Sequence, residues 1–304
     1  MRAGWAGVMP TQALVEDGRA KVNLTLRVVG RRVDGYHDLE SVVAFADCAD
    51  RLTLAPGPEL KLETAGPLAS ACGEISDNLV LKAARLLAAR VPQLQLGSFT
   101  LEKVLPVAAG IGGGSADAAA ALRLIARLNQ LTLDDDRIQE TALLTGADVP
   151  VCLLSQACDM TGVGENLLPL NLPKLPTVMV NPRLPVATKD VFAALGLRHG
   201  ELRVGATDVI EAPDWPDKEA SIADWVEELS LVPNDLEEPA LRIQPAIGAV
   251  LTALRQSAGV LLSRMSGSGA TCFSIFSGAA EAASAARKIA ADHPAWWVHA
   301  GVLS

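Results

Sequence analysis

Between Ala20 and Val29 apolar and polar positions alternate, with Val22, Leu24, Leu26 and Val28 on one side and Lys21, Asn23, Thr25 and Arg27 on the other. A period of two predicts a strand with one buried face, and it sets Lys21 and Asn23 side by side on the opposite face. RRVDGYH then reads as a turn around Asp34-Gly35, followed by a strand-like run from Leu39 to Phe45. LVLKAARLLAARV has the spacing of a helix, with Asp77 or Ser76 placed to cap it. Phe99 to Leu105 reads as a strand ended by Pro106. From Ser115 to about Leu131 the positions Ala121, Leu124, Ile125, Leu128 and Leu131 form an apolar stripe at helical spacing. A third helix is expected over 134–145, capped by aspartates and stopped by Gly146, and then a short apolar strand from Val151 to Leu154. Near the end, Arg264 leads into a glycine turn and the alternating strand TCFSIF. Strands grouped early and late around helices favour an α+β fold over a doubly wound sheet.

Proline and glycine thicken between Pro169 and Pro185, which suggests a junction and a division into residues 1–172 and 173–304. A length of 304 residues with 50% hydrophobic positions supports a sizeable core and favours two domains. The residues before Gly18 carry Glu16 and Asp17 and read as a loose tail, not a secretory or transit peptide. The acidic stretch 200–231, with Trp215 and Trp225, suggests no chemistry.

Charge narrows the partners. A net charge of −9 argues against non-specific nucleic-acid binding, which needs a basic face, but leaves room for a small anion in a locally basic pocket. No apolar stretch reaches membrane-spanning length, because Arg123 and Arg127 break the longest. Cys48, Cys72, Cys152, Cys158 and Cys272 are odd in number and never in CxxC spacing, which fits unpaired thiols of a cytoplasmic protein and no metal site.

The strongest chemical signal is PVAAGIGGGSADAAAAL. Four glycines, Gly110, Gly112, Gly113 and Gly114, run into Ser115 and a helix. Glycine admits positive φ and close backbone approach, and a helix N-terminus offers unpaired N–H groups to an anion. The segment reads as a phosphate cradle in preference to a flexible loop. It is neither a Walker A loop, which would need Lys-Ser or Lys-Thr after Gly114, nor a dinucleotide fingerprint, whose third glycine would fall on Ser115. Asp148, in a Gly-Ala-Asp-Val-Pro turn, is placed by backbone constraint and not on a solvated helix face. Tyr36 and His37 by themselves read as packing more readily than as function.

Taken in order, AKVNLTL with GRRVDGYHDLES, SDNLVLKAARLL, LPVAAGIGGGSADAAAAL, TGADVPVCL, GVGE, PNDLE and SRMSGSGATCF resemble the GHMP kinases, the superfamily of galactokinase, homoserine kinase and mevalonate kinase. The resemblance runs over most of the chain from Ala20. It implies a two-domain fold: an N-terminal domain like the second domain of ribosomal protein S5 and a ferredoxin-like C-terminal domain. It also implies ATP as phosphoryl donor, with Mg²⁺, and a small-molecule alcohol as acceptor. Asp148 would be the general base and Lys21 its ammonium partner, although a structural Lys21–Asp148 ion pair fits the sequence equally. Asn23 would hydrogen-bond the substrate. ATP would lie on Pro106, Val107, Ala108, Ala109, Gly110, Ile111, Gly112, Gly113, Gly114, Ser115 and Ala116, with Asn78 and Lys103 lining the adenine pocket. Gly267, Ser268 and Gly269 would pack against that loop.

The DGYH segment resembles the members whose acceptor carries a cytidine diphosphate group. There Tyr36 would stack on cytosine, His37 would bond the base edge and Phe192 would close the sandwich. Homoserine- or mevalonate-type kinases, whose substrates have no base, are the alternative, and a non-catalytic nucleotide-binding relative is a second. Where several GHMP kinases use a glutamate beside the serine for Mg²⁺, this helix offers only Asp117, so no carboxylate ligand is assigned.

Overall fold

The computed structural model describes residues 12–203, 215–217 and 219–304. The early strands are β1 (Leu14–Asn23), β2 (Arg27–Arg31), β3 (His37–Gly57) and β4 (Lys61–Ala65). Then come α1 (Leu79–Ala88), β5 (Leu96–Glu102), α2 (Gly113–Leu128), α3 (Asp136–Thr145), α4 (Val149–Leu154), β6 (Cys158–Gly162) and β7 (Asn166–Pro169). The later part comprises β8 (Leu175–Asn181), α5 (Thr188–Ala193), α6 (Ile222–Leu231), α7 (Glu237–Ile243), α8 (Ala246–Arg255), β9 (Val260–Met265), β10 (Cys272–Phe276), α9 (Ala279–Asp292) and β11 (Trp297–Leu303). The pattern is α+β, as the sequence suggests.

β3 organises the early strands. Its 21 residues pair antiparallel with β1, β2, β5 and β6, and Ala46 pairs with Leu303 of β11. It reaches far beyond the expected Phe45 because both of its faces are apolar. Val43, Phe45, Leu52 and Leu54 meet the alanine-rich α2 together with α1, whereas Val42, Ala44 and Ala46 join a core that includes Met179, Phe273 and Ile275 of the later strands. A third core packs α8 and α9 on β8, β9 and β10.

Several expectations change. The run 20–29 is two strands, broken between Asn23 and Arg27, and its polar face is covered too: Lys21, Asn23 and Thr25 are 4%, 1% and 1% exposed. Of the supposed loose tail, residues 1–11 lie outside the described residues, and Leu14 to Asp17 are the start of β1. Glu16 bonds Arg123 at 3.1 Å, and Arg127 donates to the Val15 carbonyl at 2.8 Å. Asn78, not Asp77 or Ser76, caps α1, accepting from Val80 N at 2.9 Å. The second helix opens at Gly113 and ends at Leu128, and 151–154 is helical, because Pro150 sits in the first turn of α4 where its missing N–H costs nothing. Gly18 lets α2 lie close to β1: a Cβ there would meet Asp117 Oδ1 at 3.0 Å and the Ala116 carbonyl oxygen at 3.2 Å. The acidic stretch 200–231 lies partly outside the described residues; its described end is α6, opened by a Ser221–Asp224 capping box, with Trp225 fully buried.

Candidate active site

The alternation of β1 delivers Lys21 and Asn23 to one point. Lys21 Nζ lies 3.2 Å from Asp148 Oδ1 and donates to Asn23 Oδ1 at 3.0 Å. Asn23 Nδ2 in turn donates to Ser41 Oγ at 2.7 Å, whose hydroxyl donates to the Thr25 carbonyl. Thus the asparagine's amide is oriented by two partners and its oxygen faces the ammonium. Asp148 is the N-cap residue of α4, yet its side chain makes no capping bond. The carboxylate is 39% exposed and free of its own helix, which leaves it available to a ligand.

The glycine loop meets this pair from below. Gly112 has φ +62°, and a Cβ there would stand 3.2 Å from both Cβ and Cε of Lys21. Gly110 has φ +74°, and a Cβ there would strike the Ser266 carbonyl oxygen at 2.5 Å and Gly269 N at 2.7 Å. The hairpin turn of Gly267, Ser268 and Gly269 therefore lies directly on the glycine loop. Ser266 ties the two together by accepting from Asn23 N at 3.1 Å and donating to the Gly110 carbonyl at 2.9 Å. Asn234 holds the turn from the far side, its Nδ2 donating to the carbonyls of Met265 and Gly267, both at 2.8 Å. At the start of α2 the N–H groups of Gly113, Gly114 and Ser115 have no intrahelical acceptor, the condition for receiving an anion.

Asn78 and Lys103 are placed differently from the other loop residues. Asn78 spends its oxygen on the cap of α1. Lys103 is 3% exposed, held between Asp50 and Asp117, with the Asp117 contact at 2.7 Å. Asp50 also accepts from the backbone of Val104 at 2.6 Å and Leu105 at 2.9 Å. The cluster stands behind the loop, and a Cβ added to Gly113 would point at Lys103 Nζ, 3.4 Å away. Burial pushes the Asp117 carboxyl up to about 7, against the opposing pull of Lys103. Its Oδ1, the oxygen turned away from Lys103, is buried without a hydrogen-bond partner and lies against Gly18 of β1, where a Cβ would stand 3.0 Å from it.

Two cavities meet at Asp148. The smaller, about 300 Å³, is lined by the glycine loop from Ala108 to Ser115 without Ile111, and by Lys21, Asn23, Gly267 and Ser268. The larger, about 570 Å³, is lined by Tyr36, His37, Phe192, Arg31 and Lys189 among others. Asp148, Ser115, Thr188 and Phe192 line both. Pro106 and Ala116 are buried at the two ends of the loop and Val107 is 40% exposed. The His37 and Phe192 rings stack directly, with centroids 4.5 Å apart, and leave no space for a third ring between them. Tyr36 is 59% exposed at the rim. Burial, then the charges of Arg31 and His199, hold the His37 imidazole below its ordinary pKa, so it is neutral at pH 7.

Ser41, Ser266, Asn234 and Thr188, which contacts Ser268 Oγ at 2.8 Å, do not stand out in the sequence. Ser41, Ser266 and Asn234 do fall inside the GRRVDGYHDLES, SRMSGSGATCF and PNDLE motifs, which mark their segments without marking these side chains; Thr188 has no such signal. Single serines and threonines carry no periodicity, and their partners stand far off in the chain.

A glycine-lined cavity opening beside a Lys–Asp pair, on this fold, defines a small-molecule kinase of the GHMP class. Its sequence matches the families described as GHMP kinases N terminal domain, over residues 78–156, and GHMP kinases C terminal, over 219–295. It is 75% identical over 295 residues to a 4-diphosphocytidyl-2-C-methyl-D-erythritol kinase of Bradyrhizobium diazoefficiens, covering 97% of this chain and 99% of the relative. A Rhodopseudomonas palustris protein of the same name is 66% identical over 296 residues, covering 97% of this chain and 100% of the relative. The crystal structure of a 4-(cytidine 5'-diphospho)-2C-methyl-D-erythritol kinase superposes with a TM-score of 0.74 at 34% identity, covering 96% of this chain and 99% of that one. A homoserine kinase from Cytophaga hutchinsonii, at 16% identity and a TM-score of 0.65, shares the fold, covering 98% of this chain and 97% of its own. The chain belongs to the 4-diphosphocytidyl-2-C-methyl-D-erythritol kinase family. The two-domain α+β architecture of GHMP kinases is its fold.

Proposed function

We propose that the protein transfers the γ-phosphoryl group of ATP to the 2-hydroxyl of 4-diphosphocytidyl-2-C-methyl-D-erythritol, a step of the non-mevalonate isoprenoid pathway. The observation that carries this reading is the Lys21–Asp148 pair, 3.2 Å apart, where the glycine-lined and aromatic-lined cavities meet. Asp148 takes the proton of the acceptor hydroxyl as its oxygen attacks the γ-phosphorus, and ADP leaves on the opposite side. Lys21 holds the carboxylate in place and offsets negative charge growing in the transition state, while the start of α2 holds the phosphates. The oxygen donors at this point suit Mg²⁺, which would be held by ATP phosphates with the Ser115 hydroxyl and would neutralise charge on the transferred group. A coupled ADP-release assay with and without the cytidine-diphospho alcohol tests the reading: turnover dependent on that alcohol is expected, and turnover with homoserine or mevalonate instead would overturn it.

Tyr36, His37 and Phe192 are assigned to the cytosine. A base that stacks on Phe192 displaces His37 from its present contact, and His37, neutral at pH 7, can then donate and accept at the base edge. Tyr36→Ala is expected to raise the KM for the cytidine substrate about tenfold or more, with the KM for ATP little changed, because base–aromatic stacking contributes about 1–3 kcal/mol. Equal rises for both substrates, or none, would return Tyr36 to a structural role.

The division of the chain is drawn at 172/173, in the connection between β7 and β8, because among the described residues β8 pairs only with the late strands β10 and β11. Among the described residues no helix is long and apolar enough to cross a membrane. Five unpaired cysteines fit a cytoplasmic enzyme.

A further inference from the structure

The cation at position 31 is treated differently from its neighbour. Arg32 faces three carboxylates, Asp34 at 3.3 Å, Asp38 at 3.6 Å and Glu165 at 3.8 Å. Arg31 has no ion pair among the described residues; its Nη1 donates to the Leu197 carbonyl at 3.1 Å, and its Nε is buried without a hydrogen-bond partner. The protein itself thus satisfies this guanidinium incompletely, and the residue lines the larger cavity. The second cation lining the larger cavity, Lys189, is exposed and likewise has no ion pair among the described residues.

The topology places both beside the rings assigned to the base. Arg31 is the cross-strand partner of His37 in the β2–β3 pairing, and His37 stacks on Phe192. Lys189 precedes Phe192 by three residues on α5, the spacing that puts two side chains on one helix face. Against these cations, Asp148 is the only carboxylate lining the cavity among the described residues. In a chain of net charge −9, a cavity with this balance suits a dianionic ligand.

We infer that Arg31 and Lys189 receive the diphosphate bridge of the acceptor, and so select a nucleoside diphosphate ester over an uncharged nucleoside or a simple alcohol. The assignment rests on the reading of the larger cavity as the cytidine-diphosphate site. Arg31 supplies a directional fork to the phosphate oxygens from the strand side; Lys189 supplies a mobile point charge from the helix side. They hold the substrate between its base, on the rings, and its reacting hydroxyl, at Asp148.

Competition by cytidine, CMP and CDP against the substrate tests this on the full chain, for wild type, Arg31→Gln, Lys189→Gln and the double variant. In the wild type CDP is expected to inhibit far more strongly than cytidine. Each substitution should weaken CDP about tenfold and leave cytidine unchanged, so that the CDP-to-cytidine preference shrinks, most of all in the double variant. The rise in substrate KM with added salt should flatten in parallel. Retention of the wild-type CDP-to-cytidine ratio in folded variants overturns the assignment of the two cations. Failure of all three cytidine compounds to compete with the wild type overturns instead the cytidine reading beneath it. In Arg31→Gln the new side-chain amide can still donate to the Leu197 carbonyl. If that variant nevertheless melts early, Lys189→Gln, on an exposed helix position, decides the matter.

Discussion

Asp148→Asn is expected to lower kcat by about 10²–10⁴-fold with little change in either KM. Asparagine keeps the shape of the side chain and still hydrogen-bonds a hydroxyl, but it takes up no proton at neutral pH. The competing reading, an ion pair that merely braces the fold, makes the opposite forecast of lower stability with normal turnover per folded molecule. Magnitudes separate the two. Asp148 is 39% exposed, and a pair with so open a partner contributes about 0–1 kcal/mol. Lys21 also retains Asn23 Oδ1 as an acceptor in the variant, so its ammonium is not left alone. A melting curve close to wild type alongside the kinetic loss is therefore the expected pair of results. A folded variant that turns over within a few-fold of wild type would remove Asp148 as the base and leave catalysis to positioning.

The other large effect falls on stability. Lys103→Met should destabilise the protein by about 3–5 kcal/mol, the usual consequence of removing one partner from a buried ion cluster. Asp50 and Asp117 would then face each other, both within a few per cent of full burial. The loss should depend on pH in a defined direction. Asp117 already stands near 7 in the folded protein, above its ordinary 3.8, because burial outweighs the attraction of Lys103. A carboxyl whose folded pKa is raised is most favourable to the fold below its unfolded pKa, and that contribution is lost as pH rises through the folded value. Without Lys103 the like-charge repulsion is relieved only by protonation, so the variant should lose most at pH 7 and above and recover part of the deficit toward pH 5. Urea unfolding at the two pH values measures this. A variant of near-normal stability whose only defect is a higher KM for ATP would move Lys103 to the adenine pocket that the family resemblance implies for it.

Lys103 also marks where reading the chain from its sequence stops. The glycine loop is legible because positive φ at Gly110 and Gly112 and close contact at both positions admit little else. The convergence of Lys21 and Asn23 follows from the period of β1 alone. By contrast, the family resemblance implies a place for Lys103 in the adenine pocket, and nothing in the sequence points to the two carboxylates that enclose it. Its two carboxylate partners come from β3 and from the inner face of α2, 53 residues before it and 14 after. The start of β1 is hidden for the same reason: Glu16 and Asp17 look solvated until Arg123, Arg127 and Arg51 are brought to them. The run from Val151 to Leu154 misleads because four apolar residues suit a strand and a buried helical turn equally. Both faces of β3 are apolar, but its length becomes evident only when the later strands are seen to cover the second face.

The Ser266 hydroxyl, fastened to both Asn23 N and the Gly110 carbonyl, has a consequence for cooperativity. Backbone from the first strand, from the glycine loop and from the β9–β10 hairpin is joined through one side chain. Opening the hairpin therefore breaks bonds to the loop and to the first strand as well, which couples their local opening. A nucleotide bound to that loop stabilises the folded state by about 2.7 kcal/mol at a hundredfold excess over its Kd. That stabilisation is transmitted through Ser266 to α7, whose Glu237 accepts from Met265 N at 2.9 Å, and to α8 beyond it. A nucleotide on that loop would thus tie the hairpin to the loop, and amide exchange in the strands of the hairpin is expected to slow as the loop fills.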